Sequence, residues 1–184
     1  RFEDWRLLRS DFIVVGRVEP DGSALAVTFE LFNVRTGAAL LAQRLPSTER
    51  GLRATAHRIA DLVFERLTGI PGAFSTRIAY VTVDGRPPSQ RFRLVVADAD
   101  GFNPRTITET TEPIMSPAWS PDGQEIAYVS FESKVSAVYV QRLATGERRR
   151  VSARAGINGA PAWSPDGRRL ALFFNEAATT DIYT

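Results

Sequence analysis

The sequence predicts a mixed fold: a small α/β domain, made of a three-stranded antiparallel meander plus a helix, followed by part of an all-β propeller. Three observations carry this reading. Pro117-Ala118-Trp119-Ser120-Pro121-Asp122-Gly123 returns unchanged 44 residues later as Pro161-Ala162-Trp163-Ser164-Pro165-Asp166-Gly167. Strand-like runs surround both copies, and a repeat of roughly 40–50 residues built from short strands is the signature of a propeller blade. Ahead of the repeat, the hydrophobic period changes from that of strands to that of a helix.

In chain order, residues 2–8 read as the end of a helix with Phe2, Trp5 and Leu8 on one side, its beginning expected ahead of Arg1. Ile13 to Glu19 is a strand, and Pro20-Asp21-Gly22 a turn. Ala24 to Val34 is a second strand with Val27, Phe29 and Leu31 on one face. Arg35-Thr36-Gly37 turns again, and Ala38 to Leu45 completes the meander. Leu52, Ala56, Ile59, Ala60, Val63, Phe64 and Leu67 then fall at helical spacing, giving an amphipathic helix over 49–67. Gly69 and Pro71 stop it. The helix supplies the cover that the meander's apolar face needs. Residues 1–70 are thus expected to be the C-terminal part of this domain, with a linker over 71–76.

The blades are expected over 77–112, 113–156 and 157–184. Ser-Pro-Asp-Gly is a turn by composition: Pro presets φ, Asp bonds its own backbone and Gly tolerates positive φ. Trp119 before it and Ile126-Ala127-Tyr128-Val129 after it form a hairpin. Ala137 to Leu143, the turn Ala144-Thr145-Gly146 and the polar strand Glu147 to Ser152 form a second, so residues 117–152 hold the four strands of one blade. The upstream copy has Arg77 to Val81, Arg91 to Ala97, a turn at Asp98-Ala99-Asp100-Gly101 and a strand at Arg105 to Glu109, but no inner strand. The downstream copy stops inside its third strand at Asp181-Ile182-Tyr183-Thr184. Closed propellers take about four to eight blades, so about two and a half blades read as a piece of a longer protein.

Composition is that of a globular chain: 43% hydrophobic and 24% charged. No apolar run approaches the roughly 18 residues of a membrane-spanning helix. The absence of Cys removes disulfides, thiol nucleophiles and thiolate metal sites. A net charge of +2 is too small to point to nucleic acid. Arg148-Arg149-Arg150 suggests a phosphate or lipid patch, but on a strand Arg149 points away from its neighbours, and a charged outer blade edge accounts for the run better. His57, the only His, has no companion ligand in its pattern. Asp98-x-Asp100-Gly101 lacks the remaining ligands of a calcium loop and fits a hairpin turn. Asp122 and Asp166 read as turn residues rather than paired carboxylates, and Trp119 and Trp163 as wedges between blades rather than ligand platforms. No nucleophile elbow, phosphate loop or zinc-binding H-E-x-x-H occurs. No cofactor and no metal are expected.

Taken together, these residues resemble the TolB family, periplasmic propeller proteins of the Tol-Pal system, whose blades read P-A-W-S-P-D-G-x-x-[IL]-A. Phe64 to Phe74 is similar to the family's domain junction, and Thr76 to Val81 to its first blade. Met115-Ser116 before the first heptapeptide and Asn158-Gly159-Ala160 before the second are similar to the family's lead-ins to the next two blades. The resemblance implies a non-catalytic periplasmic scaffold that binds the lipoprotein Pal through one propeller mouth. It further implies binding of TolA through a segment expected to lie before Arg1, with the membrane met only through partners. It also implies a part in outer-membrane integrity and constriction at division, and exploitation by colicins for entry. On that basis Met115, Ser116, Ile157, Asn158, Gly159 and Ala160 are the candidate Pal-type contacts. Trp119, Pro121, Asp122, Gly123, Trp163, Pro165, Asp166 and Gly167 are the structural repeat. The family often has His where this chain has Ile157, which removes a polar contact. A physical argument stands beside the resemblance: loops at one end of a rigid sheet array concentrate binding residues, and the small Gly159 and Ala160 allow close approach to the backbone.

Two rival functions remain open on sequence. Propellers also cap prolyl-oligopeptidase-type serine hydrolases, whose catalytic domain would follow Thr184. A sugar- or nucleic-acid-binding module would require exposed aromatics and a concentrated basic face.

Overall fold

Where the chain needs cover on one face only, its strands alternate, and where both faces are covered they do not. The computed structural model, which describes residues 1–176 and 179–184, shows both cases. It divides into two compact units, Arg1–Thr76 and Arg77–Thr184.

The first unit holds α1 (Phe2–Leu7), β1 (Phe12–Asp21), β2 (Ala24–Asn33), β3 (Ala39–Ser47) and α2 (Leu52–Thr68). The strands form an antiparallel sheet in the order β1-β2-β3. On β2, Val27, Phe29 and Leu31 are buried while Glu30 is exposed, which is the period-two pattern of a half-covered sheet. The first turn is tighter than expected. Pro20 pairs with Leu25 and Asp21 with Ala24, so Gly22-Ser23 makes the turn, with Gly22 at φ +64. Pro20 is tolerated because β1 is an edge strand, where a missing N–H breaks no ladder.

In α1, Phe2 packs edge-on to Phe32 at 5.6 Å, whereas Trp5 and Leu8 stay exposed. Arg6 ties this helix down through its guanidinium, donating to Val34 O at 3.1 Å and Arg35 O at 3.0 Å. α2 begins three residues later than its periodicity suggests, because Thr48 Oγ1 and Thr48 O both accept from Gly51 N–H and close a turn there. Gly69 ends it in the left-handed conformation, donating to Glu65 O.

Among the described residues, the second unit holds three small antiparallel sheets. The first is β4 (Arg77–Asp84), β5 (Arg91–Asp98) and β6 (Arg105–Thr110), in the order β4-β5-β6. The second is β7 (Ile114–Trp119), β8 (Glu125–Ser130), β9 (Ala137–Arg142) and β10 (Arg148–Ser152), in the order β10-β9-β8-β7. The third is β11 (Ile157–Trp163), β12 (Leu170–Glu176) and β13 (Thr179–Tyr183).

The middle sheet is covered on both sides. Ile126, Tyr128, Ala137 and Tyr139 share one cluster with Leu94 and Val96 of the first sheet, and Val129 and Val138 share another with Leu172 and Phe174 of the third. Alternate residues of β8 therefore face different sheets, and Ile126 through Ser130 are all buried. Truncating such a side chain, as in Ile126→Ala, costs about 2–5 kcal/mol.

The polar groups in this core are paired. Tyr128 OH donates to Gln141 Oε1 at 3.0 Å, and Gln141 Nε2 donates across to Ile107 O at 3.1 Å. Burial raises the Tyr128 pKa despite the nearby Arg148, so the phenol stays neutral and donates.

The remaining singled-out residues have local roles. Arg148 makes two hydrogen bonds to Glu132, at 2.6 and 3.0 Å, and lies over the Tyr139 ring, while Arg149 turns to Glu125 at 3.9 Å. Arg148 and Arg149 thus turn to different carboxylates. In the Asp98 loop, Gly101 N–H donates to Asp98 O at 2.8 Å and Phe102 N–H to Asp100 Oδ1 at 3.1 Å, closing a hairpin turn.

Candidate partner-binding site

The two heptapeptides fold into the same local network. Ser120 Oγ donates to Asp122 Oδ1 at 2.6 Å, Gln124 N–H donates to the same oxygen, and Glu125 N–H donates to Ser120 Oγ. The second copy repeats each bond: Ser164 Oγ to Asp166 Oδ1 at 2.5 Å, Arg168 N–H to Asp166 Oδ1, and Arg169 N–H to Ser164 Oγ. The Ser hydroxyls and the backbone N–H groups hold both carboxyls below the usual aspartate value. Gly123 (φ +65) and Gly167 (φ +68) take the left-handed position that the turn requires.

The turns also meet neighbouring sheets. Trp163 Nε1 donates to Ala118 O at 3.2 Å, and Gly167 sits beside Pro121, a Cβ there falling 3.7 Å from the Pro121 ring. One sheet earlier, the Arg77 guanidinium lies 4.8 Å from the centre of the Trp119 ring and donates to Gly123 O at 2.7 Å. Pro165 completes the second turn.

The residues leading into β7 and β11 lie at the opposite end of the strands from these turns. Both strands are bulged there, between Met115 and Ala118 and between Gly159 and Ala162. At each bulge a non-glycine residue holds positive φ: Ser116 at +52 and Ala160 at +44. Such a conformation costs about 1–2 kcal/mol for an L-residue and persists only where surrounding structure enforces it. Ser116 and Ala160 are exposed, as are Met115 and Ile157, each at 53%.

Asn158 and Gly159 are placed otherwise. Asn158 is fully buried. Its Oδ1 accepts from Ser152 Oγ at 2.7 Å and Arg154 N–H at 3.0 Å, while its Nδ2 donates to Ser136 O at 3.0 Å and Arg154 O at 2.8 Å. Its side chain staples three segments together and is not presented to a partner. Gly159 is covered by its cross-strand partner: a Cβ at 159 would fall 2.9 Å from Phe173 Cζ and closer still to Cε1. The glycine admits an aromatic ring of its own sheet, and not the close approach of another protein. Both expectations of direct contact are corrected on these grounds.

Sequence reasoning missed the residues that join the lead-in loops. The Lys134 ammonium pairs with the Glu112 carboxylate, linking the loop before β7 to the loop after β8. Phe131 N–H donates to Pro113 O at 3.0 Å, and Asn158 N–H donates to Ser136 Oγ at 2.7 Å. Val135, exposed in the same loop, adds a third apolar side chain at this end beside Met115 and Ile157. The only sequence signal for this grouping is position: each lies just before or after a strand terminus at the same end of a blade. Among the described residues, no group of three or more His, Cys, Asp or Glu side chains could hold a metal ion.

A small α/β unit followed by successive antiparallel sheets of three, four and three strands, two of them with a tryptophan wedge and a Ser-Pro-Asp-Gly turn, defines a class: a β-propeller protein with an amino-terminal α/β domain. The family model of the TolB beta propeller domain matches residues 64–184, and that of the TolB amino-terminal domain matches residues 1–40. The chain belongs to the TolB family. Tol-Pal system protein TolB of Methylococcus capsulatus is 54% identical over 156 residues, which are 85% of this chain and 37% of that protein. Tol-Pal system protein TolB of Xanthomonas oryzae pv. oryzae is 48% identical over 161 residues, 87% of this chain and 37% of that protein. The crystal structure of TolB from Acinetobacter baumannii matches all of this chain and 46% of its own, at a TM-score of 0.89 and 37% identity. The chain thus spans a little over a third of the length of the curated relatives it matches. No helix among the described residues is long and apolar enough to cross a membrane.

Proposed function

We propose that this chain is part of a non-catalytic, periplasmic scaffold of the Tol-Pal system. Its propeller mouth binds the periplasmic domain of a Pal-type lipoprotein through the lead-in residues Met115, Ser116, Ile157 and Ala160. The reading rests on family membership. The observation that carries it to these residues is the pair of bulges that expose small residues at positive φ beside apolar side chains. Asn158 and Gly159 shape this surface from beneath, and the Glu112–Lys134 pair fixes its rim.

In this reading TolA is bound through a segment outside this chain, the membrane is reached only through partners, and the assembled system supports outer-membrane integrity and constriction during division. Nucleic acid has no part in it. The serine-hydrolase alternative is not favoured, because the family model over residues 64–184 is that of the TolB propeller. Titration calorimetry of the full-length protein against the purified Pal-type domain tests the proposal. Saturable one-to-one binding is expected, and no measurable binding at micromolar concentrations would reject it.

A further inference from the structure

The most buried residue of α2 is a carboxylate. Asp61 is 7% exposed, and no apolar residue of the same helix is as deeply buried. A buried charge has to be matched by donors, and those of Asp61 come from the segment that follows the helix. Phe74 N–H donates to Oδ1 at 2.7 Å and Ser75 N–H to Oδ2 at 3.1 Å. Burial alone would raise this carboxyl, but the Ser75 and Phe74 donors and the charge of Arg58 outweigh it and hold the pKa below the ordinary value. The ionised group is therefore the one that grips the segment.

Backbone shape adds a second constraint. Gly72 presses so closely on the same residue that a Cβ there would stand 2.5 Å from Asp61 Cα and 2.9 Å from Asp61 Cβ. The Phe74 ring packs edge-on to Phe64 of α2 at 5.9 Å, and Thr76 Oγ1 donates to Ala73 O at 2.6 Å. Residues 70–76 have no helix or strand of their own, so contacts of this kind distinguish an ordered strap from a free tether.

We propose that Asp61 is a catch that straps residues 72–75 onto α2 and so fixes where the chain leaves the first unit for β4. The structure shows the catch closed. Both Phe64 and Phe74 are more than a third exposed, so the strap opens at far less cost than unfolding the unit, as weakly held segments do. When open, the same residues are a flexible tether. The inference does not depend on which partner the propeller binds.

Amide hydrogen exchange on the full-length protein tests it, in wild type and in two variants that act by different means. Asp61→Asn keeps the shape but turns an N–H donor toward one of the two backbone donors. Gly72→Ala keeps the carboxylate but wedges the strap away. Each is expected to speed exchange at Phe74 and Ser75 by about 10–100-fold, leaving Val27, Phe29 and Leu31 of β2 at the wild-type rate. Wild-type exchange at Phe74 and Ser75 in both variants would overturn the proposal. So would acceleration of the β2 amides in step with them, because Asp61 would then hold the whole unit and not a catch.

Discussion

At the start of β7 the buried residue is Ile114; 44 residues on, at the start of β11, it is Asn158. One residue further, Met115 is exposed opposite Val129, whereas Gly159 lies under Phe173. One further still, Ser116 and Ala160 share positive φ, and from there the two strands carry the same heptapeptide and the same turn bonds. The second and third blades thus agree in backbone and differ in how each lead-in is filled. Blade two pairs a long side chain with a small one and uses apolar burial. Blade three pairs no side chain with a large ring and uses a polar staple. Repetition sets the scaffold, and the non-identical lead-ins give each blade its own surface.

The comparison breaks most sharply at the staple. Asn158→Ile, which gives blade three the residue of blade two, orphans the Ser136 and Arg154 carbonyls and the Arg154 N–H. At about 1–3 kcal/mol for each unsatisfied group, at the low end for those of the exposed Arg154, the loss is expected to be about 4 kcal/mol in urea unfolding. The next effect is steric. Gly159→Met drives a side chain into the Phe173 ring and should cost about 2–3 kcal/mol. Adding Phe173→Val, which recreates the Met115–Val129 pair, should restore part of it, with the two changes non-additive in a double-mutant cycle.

The smallest effect belongs to what the blades share. Asp122→Ala and Asp166→Ala should each lower the melting temperature slightly and by similar amounts. Both carboxyls sit below their unfolded value near 3.9, so their contribution is complete above about pH 5. It is lost as pH falls through the depressed folded values. The gap between each variant and wild type should therefore narrow in thermal scans as pH falls.

Much of this arrangement was legible in the sequence, for physical reasons that differ by element. The Ser-Pro-Asp-Gly turns were readable because every bond in them is local, within five residues. The β2 face was readable because Val27, Phe29 and Leu31 alternate against a single cover. The doubly covered β8 and β9 showed as unbroken apolar runs, and most of the α2 helix showed in its periodicity. The roles of Asn158, Gly159 and Asp61 were not legible. Each depends on a partner brought up by tertiary folding: Ser136 lies 22 residues from Asn158, Phe173 lies on the facing strand, and the Phe74 amide lies 13 residues past Asp61. Small or polar residues at such sites look the same in sequence whether they face a partner or their own core.

The central claim, that the lead-ins recognise the partner while the repeat supports them, is tested most directly by one set of titrations. Binding of the Pal-type domain to the full-length protein is measured for wild type, for Met115→Ala with Ile157→Ala, and for Asp122→Ala. The account predicts that the double variant loses about tenfold or more in affinity with an unchanged melting temperature. It predicts that Asp122→Ala melts lower yet binds as wild type. Full affinity in the double variant together with weakened binding in Asp122→Ala would contradict it.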